Sequence, residues 1–414
     1  MSRIPRSQQL EQEFMDAVFE GEWLPDLVRK GAQVMLQKAL EEEVGEYLGR
    51  GHYQHTQEKF RGHRNGYERT RLATGEGPIE LGVPQVRAHE GFHSVILEHW
   101  KRRSDAVDRL IPALYMKGLS QRDTEAVLKE TLGNPACSKS TISRVCQTLG
   151  STFENWKNRD LSAHAILYLF LDAIYLPVRQ GSQEKEGILA AYAMTVDGQK
   201  ILLHLALGQR ESNDAWLSFL QDMKQRGLLD PLLVVIDGNS ALRKAVRQIF
   251  PGALIQRCLA HKMRNILCKL PRGVHADMKP LIQRCFDAGS YDKGKALAKD
   301  LIATWKDRYP SAMDCLEKDL EECLTSLRFP KEHRKRIRTT NLLERLFEEG
   351  RRRTKVIPRF PKEQSALALL HSVLVDASAK WRGVRMTRDI EKQLWDLWVH
   401  QYPEAQPDHA KRAA

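Results

Sequence analysis

The chain has 414 residues and a formal net charge of +12, enough length for about two or three separately cored domains. Hydrophobic residues make up 42%, which excludes a disordered chain, and the basic excess points to a polyanionic partner, nucleic acid before an acidic membrane surface. No run approaches the roughly 18 consecutive apolar residues of a spanning helix. The N-terminus MSRIPRSQQLEQEF lacks the apolar core of a signal peptide, and seven cysteines without a framework suit a reducing cytoplasm.

Residues 1–60 read as an N-terminal helical region, because Leu27, Val28, Val34, Met35, Leu36, Ala39, Leu40, Val44, Tyr47 and Leu48 recur near helical spacing. Over 61–103 the texture changes. Gly75, Gly77, Pro78, Gly82 and Pro84 punctuate alternating stretches such as PIELGVPQV, which predicts a small β-rich element. Helical periodicity returns over 104–160. Ser120 is placed to cap a helix opening with QRDTEAV, GNPACS breaks it, and a second helix follows around STISRVCQTL with Ile142, Val145 and Leu149 inward. Two short helices joined in this way read as a helix-turn-helix or as a plain helical hairpin. The first reading aims Lys139, Ser140, Thr141, Ser143 and Arg144 at DNA.

From 161 to 263 strand-like and helix-like runs alternate, the mark of an α/β layer. AILYLFLDAIYLPV, GILAAYAMTV, KILLHLAL, PLLVVID and ALIQRCLAH are the strand candidates, and DAWLSFLQDMKQRG and ALRKAVRQIF the helices. Residues 264–335 look wholly helical and read as an insertion ahead of a last helical stretch, 336–385. Residues 386–414 form a C-terminal helix and a loose tail. Trp305, in ATWKDRYP, reads as helical core.

Three acidic residues stand out. Asp172 interrupts an almost wholly apolar strand, where a carboxylate is costly unless it is paired or bound to a cation; the plain alternative is exposure at a sheet edge. Asp237 ends PLLVVID just before Gly238, where open α/β sheets place ligands, or where a carboxylate caps the helix beginning near Ala241. Residues 331–359 hold 11 Lys/Arg against 4 Glu. Glu344 lies there between Arg334, Lys335, Arg336 and Arg338 on one side and Arg351, Arg352, Arg353 and Lys355 on the other, cations that grip phosphate without reading bases. Asn341-Leu-Leu-Glu344 also fits a capping box, with Glu344 reaching back to the cap. Cys258-x2-His261 has the spacing of half a zinc site, continued by Cys268 and His275. Residues on one helix form a stripe, however, and tetrahedral zinc draws ligands from two segments, so Cys258 is read as core at a strand end.

In this order, Asp172 in LDAIYLPV, Asp237 in VVIDGNSALRKAV, Cys258 and His261 in QRCLAHKMRNI, and Glu344 in TTNLLERLFEEGRRRTKVIPRFP resemble the motifs of Mutator-type transposases of bacterial insertion sequences. Arg64-Asn65-Gly66-Tyr67 and IELGVPQVR resemble that family's N-terminal region. The resemblance implies an α/β protein with an RNase H-like catalytic core, interrupted by an all-helical insertion between the second aspartate and the glutamate. A mainly helical DNA-binding region carrying the small β-rich element would precede it. The resemblance also implies Asp172, Asp237 and Glu344 as catalytic metal ligands, with Cys258, His261, Arg264 and Asn265 as active-site support. Glu348, one turn beyond Glu344, departs from the pattern and is the rival third ligand.

Three hard carboxylates suit two Mg²⁺ ions, or Mn²⁺ in their place, roughly 3.5–4 Å apart. Asp172 takes the bridging position, and Asp237 and Glu344 hold one ion each. The expected reaction is cleavage by water at the terminal inverted repeats, followed by attack of the freed 3′-hydroxyl on a second phosphodiester. The expected partners are double-stranded DNA, both repeats and target, and a second copy of the chain on the paired ends; the location is the bacterial cytoplasm. Two readings compete: a DNA-binding regulator without catalysis, and a metal-dependent nuclease without joining activity.

Overall fold

The structure, a computed structural model, describes residues 4–21, 23–51, 62–87, 92–96, 110–111, 113–114, 119, 121–132, 139–176, 186–208, 212–354, 363–379 and 381–403. The chain divides into two compact units, Met1–Thr148 and Leu149–Ala414.

In the first unit, helices α1 (Arg6–Glu20) and α2 (Leu24–Leu48) form an antiparallel pair. Left-handed glycines, Gly21 at φ 72° and Gly49 at φ 64°, end them, as helix C-termini favour. Strands β1 (His63–Thr74) and β2 (Gly77–Arg87) make a hairpin. The buried face of α2, Gln37, Leu40, Val44 and Leu48, packs toward β2. There the Gln37 amide both donates to the Gly82 carbonyl and accepts from the Gly82 N–H, each at 2.8 Å, so a buried side chain satisfies a strand backbone. Helix α3 (Gln121–Leu132) follows, and α4 (Lys139–Lys157) begins in the first unit and ends in the second.

The second unit is built on a five-stranded sheet of β3 (Ile166–Leu176), β4 (Glu186–Thr195), β5 (Lys200–Gly208), β6 (Leu233–Ile236) and β7 (Leu254–Arg257), in the order β5-β4-β3-β6-β7. The first three strands are antiparallel, and β6 and β7 run parallel to β3. Because side chains alternate along a strand, β3 presents Leu169 and Leu171 to one face and Tyr168, Phe170, Asp172 and Ile174 to the other. On the first face α5 (Asn213–Gln225) and α6 (Ser240–Ile249) bury Trp216, Phe219, Leu220 and Val246 in a core shared with Leu169, Leu171, Val234 and Ile236. The second face receives α13 (Asn341–Thr354) and α14 (Glu363–Ser378). Gly350 makes that docking possible: a Cβ there would lie 2.5 Å from Leu370 and 3.8 Å from Ile174.

Between β7 and α13 the chain is helical: α7 (Leu259–Leu267), α8 (His275–Phe286), α9 (Tyr291–Trp305), α10 (Pro310–Glu317), α11 (Leu320–Leu324) and α12 (Lys331–Ile337), with 3₁₀ turns at Arg272–Val274 and Thr325–Arg328. The helical run starts at Leu259, a turn and more before the periodicity predicts, because β7 ends at Arg257 and Cys258 already precedes a helix. These helices enclose a second core of Ile266, Ile282, Phe286, Ala312, Met313, Leu316 and Leu324. Buried Gln256 ties them to the sheet, donating to the Cys323 carbonyl at 3.1 Å and accepting from the Ser326 N–H at 2.6 Å. Trp305 packs at the rim of this core, stacked on Tyr309 at 5.8 Å between centroids. The final helix, α15 (Arg388–Gln401), is capped by Thr387. Among the described residues no helix is long and apolar enough to cross a membrane.

Candidate active site

Strand register sets the first two acids. Parallel β3 and β6 pair Tyr168 with Leu233, Leu169 with Val234 and Phe170 with Val235. Carried two residues further, the register brings Asp172 level with Asp237 on neighbouring strands, which lie about 4.8 Å apart. Neither aspartate follows its plain alternative. Asp172 sits in the central strand, not at an edge. The cap of α6 is Asn239, which accepts from the Ala241 and Leu242 N–H groups, while Asp237 accepts from the Asn239 N–H at 2.8 Å and shapes the loop before it.

Cys258 and Thr340 deliver the third acid. The Cys258 N–H donates to the Ile236 carbonyl at 2.7 Å, and its thiol, fully buried, accepts from the Thr340 N–H and hydroxyl at 3.4 and 3.5 Å. The Leu259 N–H donates to the Arg338 carbonyl at 2.9 Å. The ends of β6 and β7, the start of α7 and the segment entering α13 are thereby stitched together. Helix α13 starts at Asn341, so Glu344 lies one residue too deep for the predicted capping box. Its N–H bonds the Thr340 carbonyl at 3.1 Å, and its carboxylate lies 3.3 Å from His261 Nε2 instead of bending back to a cap.

Electrostatically these groups act on one another. Burial above all, with the charges of Asp237 and Glu344 added to it, pushes the Asp172 carboxyl up to about 7 against the opposing effects of the Ala173 N–H at 2.9 Å and of His261. Contact with Cys258 raises the His261 imidazole against the effect of burial, and the Asp172 and Glu344 charges add to the rise. Burial works against ionisation of Cys258, yet its contacts with His261 and Thr340 prevail and hold the thiol below its ordinary value. The result is a cluster with surplus negative charge on a poorly solvated aspartate. Its all-oxygen donors match a hard divalent cation. Among the described residues no three His, Cys, Asp or Glu side chains already form a metal cage, since Glu344 is turned to His261 and Asp237 to its own loop.

Sequence reasoning missed Arg257. Its side chain is buried (6% exposed), and it donates to the Asp237 carbonyl by lying over Gly238, whose φ of 92° leaves the space. A charged residue breaking the apolar ALIQRC strand was the available signal, of the same kind that marked Asp172. Other expected site residues lie elsewhere. Arg264 and Asn265 are exposed on α7, and Glu348 is exposed on α13, away from the acids that shift Asp172. Arg351 and Arg352 are exposed and Arg353 half-buried, with Arg352 2.8 Å from Glu349; Lys355 lies outside the described residues. Lys139, Ser140, Thr141, Ser143 and Arg144 fall in the first turns of α4, their side chains outside the described ones. Of the other residues in the zinc spacing, Cys268 is exposed and His275 bonds the Leu270 carbonyl at 3.1 Å.

Comparison with known proteins gives a class first: the similar proteins are transposases of insertion sequences. The transposase for insertion sequence element ISRM5 of Rhizobium meliloti (strain 1021) is 34% identical over 358 residues, covering 86% of this chain and 89% of that protein. The transposase for IS6120 of Mycolicibacterium smegmatis is 36% identical over 279 residues, 67% and 86% of the two chains. The transposase for IS256 in transposon Tn4001 of Staphylococcus aureus is 28% identical over 375 residues, 90% and 95%. The family described as "Transposase, Mutator family" matches residues 5–383, and the chain belongs to that family.

Proposed function

We propose that this transposase binds the terminal inverted repeats of its insertion sequence and catalyses DNA strand cleavage and strand transfer, with Asp172, Asp237 and Glu344 as its acidic triad. One observation carries the reading: two carboxylates remote in sequence, Asp237 at the end of β6 and Glu344 on α13, both act on the half-buried Asp172 of β3. The sheet order, with β3 flanked by an antiparallel and a parallel neighbour, supports an RNase H-like core. The helices between Cys258 and Ile337 support an insertion between the second aspartate and the glutamate. Asp172, Asp237 and Glu344 would hold divalent metal, Mg²⁺ or Mn²⁺, which when bound neutralises developing phosphate charge and activates water. Burial keeps Asp172 from settling as a solvated anion, so it favours a cation over water. His261, made more basic first by Cys258 and then by its acidic neighbours, would meet a phosphate at the mouth of the cluster. Arg351, Arg352 and Arg353 supply backbone grip, and two copies of the chain would hold two DNA ends.

The test is cleavage of a plasmid carrying the element's ends, and joining of a pre-cleaved 3′-end, with and without Mg²⁺. Glu344→Gln is expected to lower both by at least roughly a thousandfold, whereas Glu348→Gln leaves them within a few-fold. Chelation should stop both reactions. Metal-independent cleavage, or the reverse ranking of the two glutamates, would overturn the assignment.

The consecutive helices α3 and α4 support a helix-turn-helix, in which α4 enters the major groove. Arg144→Ala is then expected to weaken binding to the inverted repeat by about tenfold, measured by mobility shift at fixed salt. Unchanged binding would assign the helices to packing.

A further inference from the structure

We propose that the cavity walled by the end of α4, the β4–β5 turn and the segment after α14 is a nucleotide subsite, taking one unstacked base and its phosphate. Its volume is about 650 Å³, within the range of small-ligand sites. It is remote from the three carboxylates. The turn follows Thr195, which pairs with Ile166, whereas Asp172 lies six residues further along β3, about 20 Å at the rise of a strand. The wall is preformed, because Gly198, at φ 81°, and Gly383 let two backbones touch. A Cβ on Gly198 would lie 2.4 Å from the Val384 carbonyl oxygen, and one on Gly383 2.5 Å from that of Gly198. Trp156 is fixed by the Arg159 guanidinium, 4.4 Å from its ring centroid, and by buried His371, centroid to centroid at 4.3 Å. Trp381 lines the cavity half-buried and meets Tyr192 edge to face at 4.8 Å between centroids. The buried Tyr192 hydroxyl has no partner among the described residues, a deficit that native interiors seldom leave unfilled.

Charge selects the occupant. Arg159 donates to the Trp156 and Leu202 carbonyls at 2.7 and 2.9 Å, dipoles that leave its charge uncompensated. Burial and then the Arg226 charge pull its guanidinium down to about 10, and burial and then the Arg336 charge lower the Lys200 ammonium. Cations depressed in this way are relieved by an anion. Asp197, the acid among the described lining residues, accepts from the Thr195 hydroxyl of its own turn. Indole faces beside cations are the combination that holds single-stranded nucleic acid, the ring stacking a base and the cations taking phosphate. A base inside a duplex is stacked and paired, so it must leave the helix to enter; a free nucleotide presents the same groups. The inference rests on the reading of the chain as an enzyme acting on DNA, yet it makes no use of the three carboxylates.

The test is photo-cross-linking of the full-length protein to a short single-stranded oligonucleotide carrying 5-iododeoxyuridine, with the adduct expected at Trp381 or Trp156. Lys200→Gln and Trp381→Ala should each weaken oligonucleotide binding about tenfold, measured by fluorescence anisotropy at fixed salt, with unchanged circular dichroism. Should Trp381→Ala fail to fold, Lys200→Gln decides alone. Calorimetric titration with dAMP separates the sources: dAMP that binds and displaces the oligonucleotide shows a free nucleotide filling the site, and an oligonucleotide that binds where dAMP does not shows a DNA strand filling it. Asp172→Asn should keep the cross-link while losing cleavage, so failure of the catalytic reading shows separately. Adducts only outside the cavity, binding of neither probe, or a folded Lys200→Gln chain that binds as tightly as wild type would overturn the proposal.

Discussion

Asp172→Asn is expected to abolish strand cleavage and, in metal-free buffer at pH 8, to raise the melting temperature. The two effects share one cause. Burial first, and then the Asp237 and Glu344 charges, lift the Asp172 carboxyl from 3.8 to about 7. A carboxyl whose folded pKa lies above its unfolded value contributes its full stability below the unfolded pKa. That contribution is lost as pH climbs from about 4 through about 7, to an upper limit of about 4 kcal/mol for a shift of this size. Asparagine retains an oxygen that can accept from the Ala173 N–H at 2.9 Å and carries no charge to desolvate. The variant should therefore outlast its parent at pH 8, and the difference should vanish below pH 4. Added Mg²⁺ should raise the parent's melting temperature and leave the variant's unmoved. A group kept at the expense of stability is the mark of a working residue. Thermal scans at several pH values, run beside a plasmid-cleavage assay, read all of this. Retained cleavage would sink the assignment of Asp172, and a lower melting temperature at pH 8 would show that burial of the carboxylate does not dominate its energetics.

The strands bearing Asp172 and Asp237 were legible because buried strands of an α/β sheet are apolar on both faces, which makes a carboxylate within LYLFLDAIYL conspicuous. The helix between them was legible for a similar reason: DAWLSFLQDMKQ buries Trp216, Phe219, Leu220 and Met223 at helical spacing. Contacts between distant segments were hidden. Asn341-Leu-Leu-Glu344 carries the local pattern of a capping box, but tertiary structure shifts the cap to Thr340, whose hydroxyl is engaged by Cys258, and leaves Glu344 facing His261. Cys258 reads as one more small core residue until its thiol is seen gathering the entry to α13.

Gly238→Ala should be the most damaging small substitution in the loop that holds Asp237, with an expected loss of about 3–5 kcal/mol in chemical denaturation. Two mechanisms combine. The φ of 92° lies where L-residues are strained, a term of about 1–2 kcal/mol. More important, the new Cβ would fall 0.7 Å from Arg257 Nη1, which is overlap and cannot be relieved by a slight shift. Arg257 is the neighbour that must leave. It is buried, donates to the Asp237 carbonyl, and sends its charge toward Asp319, whose carboxyl is lowered in part by it. A guanidinium driven from that position loses its partners without gaining full hydration. Because the clash needs both side chains, Arg257→Ala/Gly238→Ala should be less unstable than the sum of the two single variants, a non-additivity that separates the clash from backbone strain. Strict additivity would assign the whole effect to the glycine's conformation, and a loss below about 1 kcal/mol for Gly238→Ala would show that Arg257 moves aside freely and does not pin the Asp237 loop.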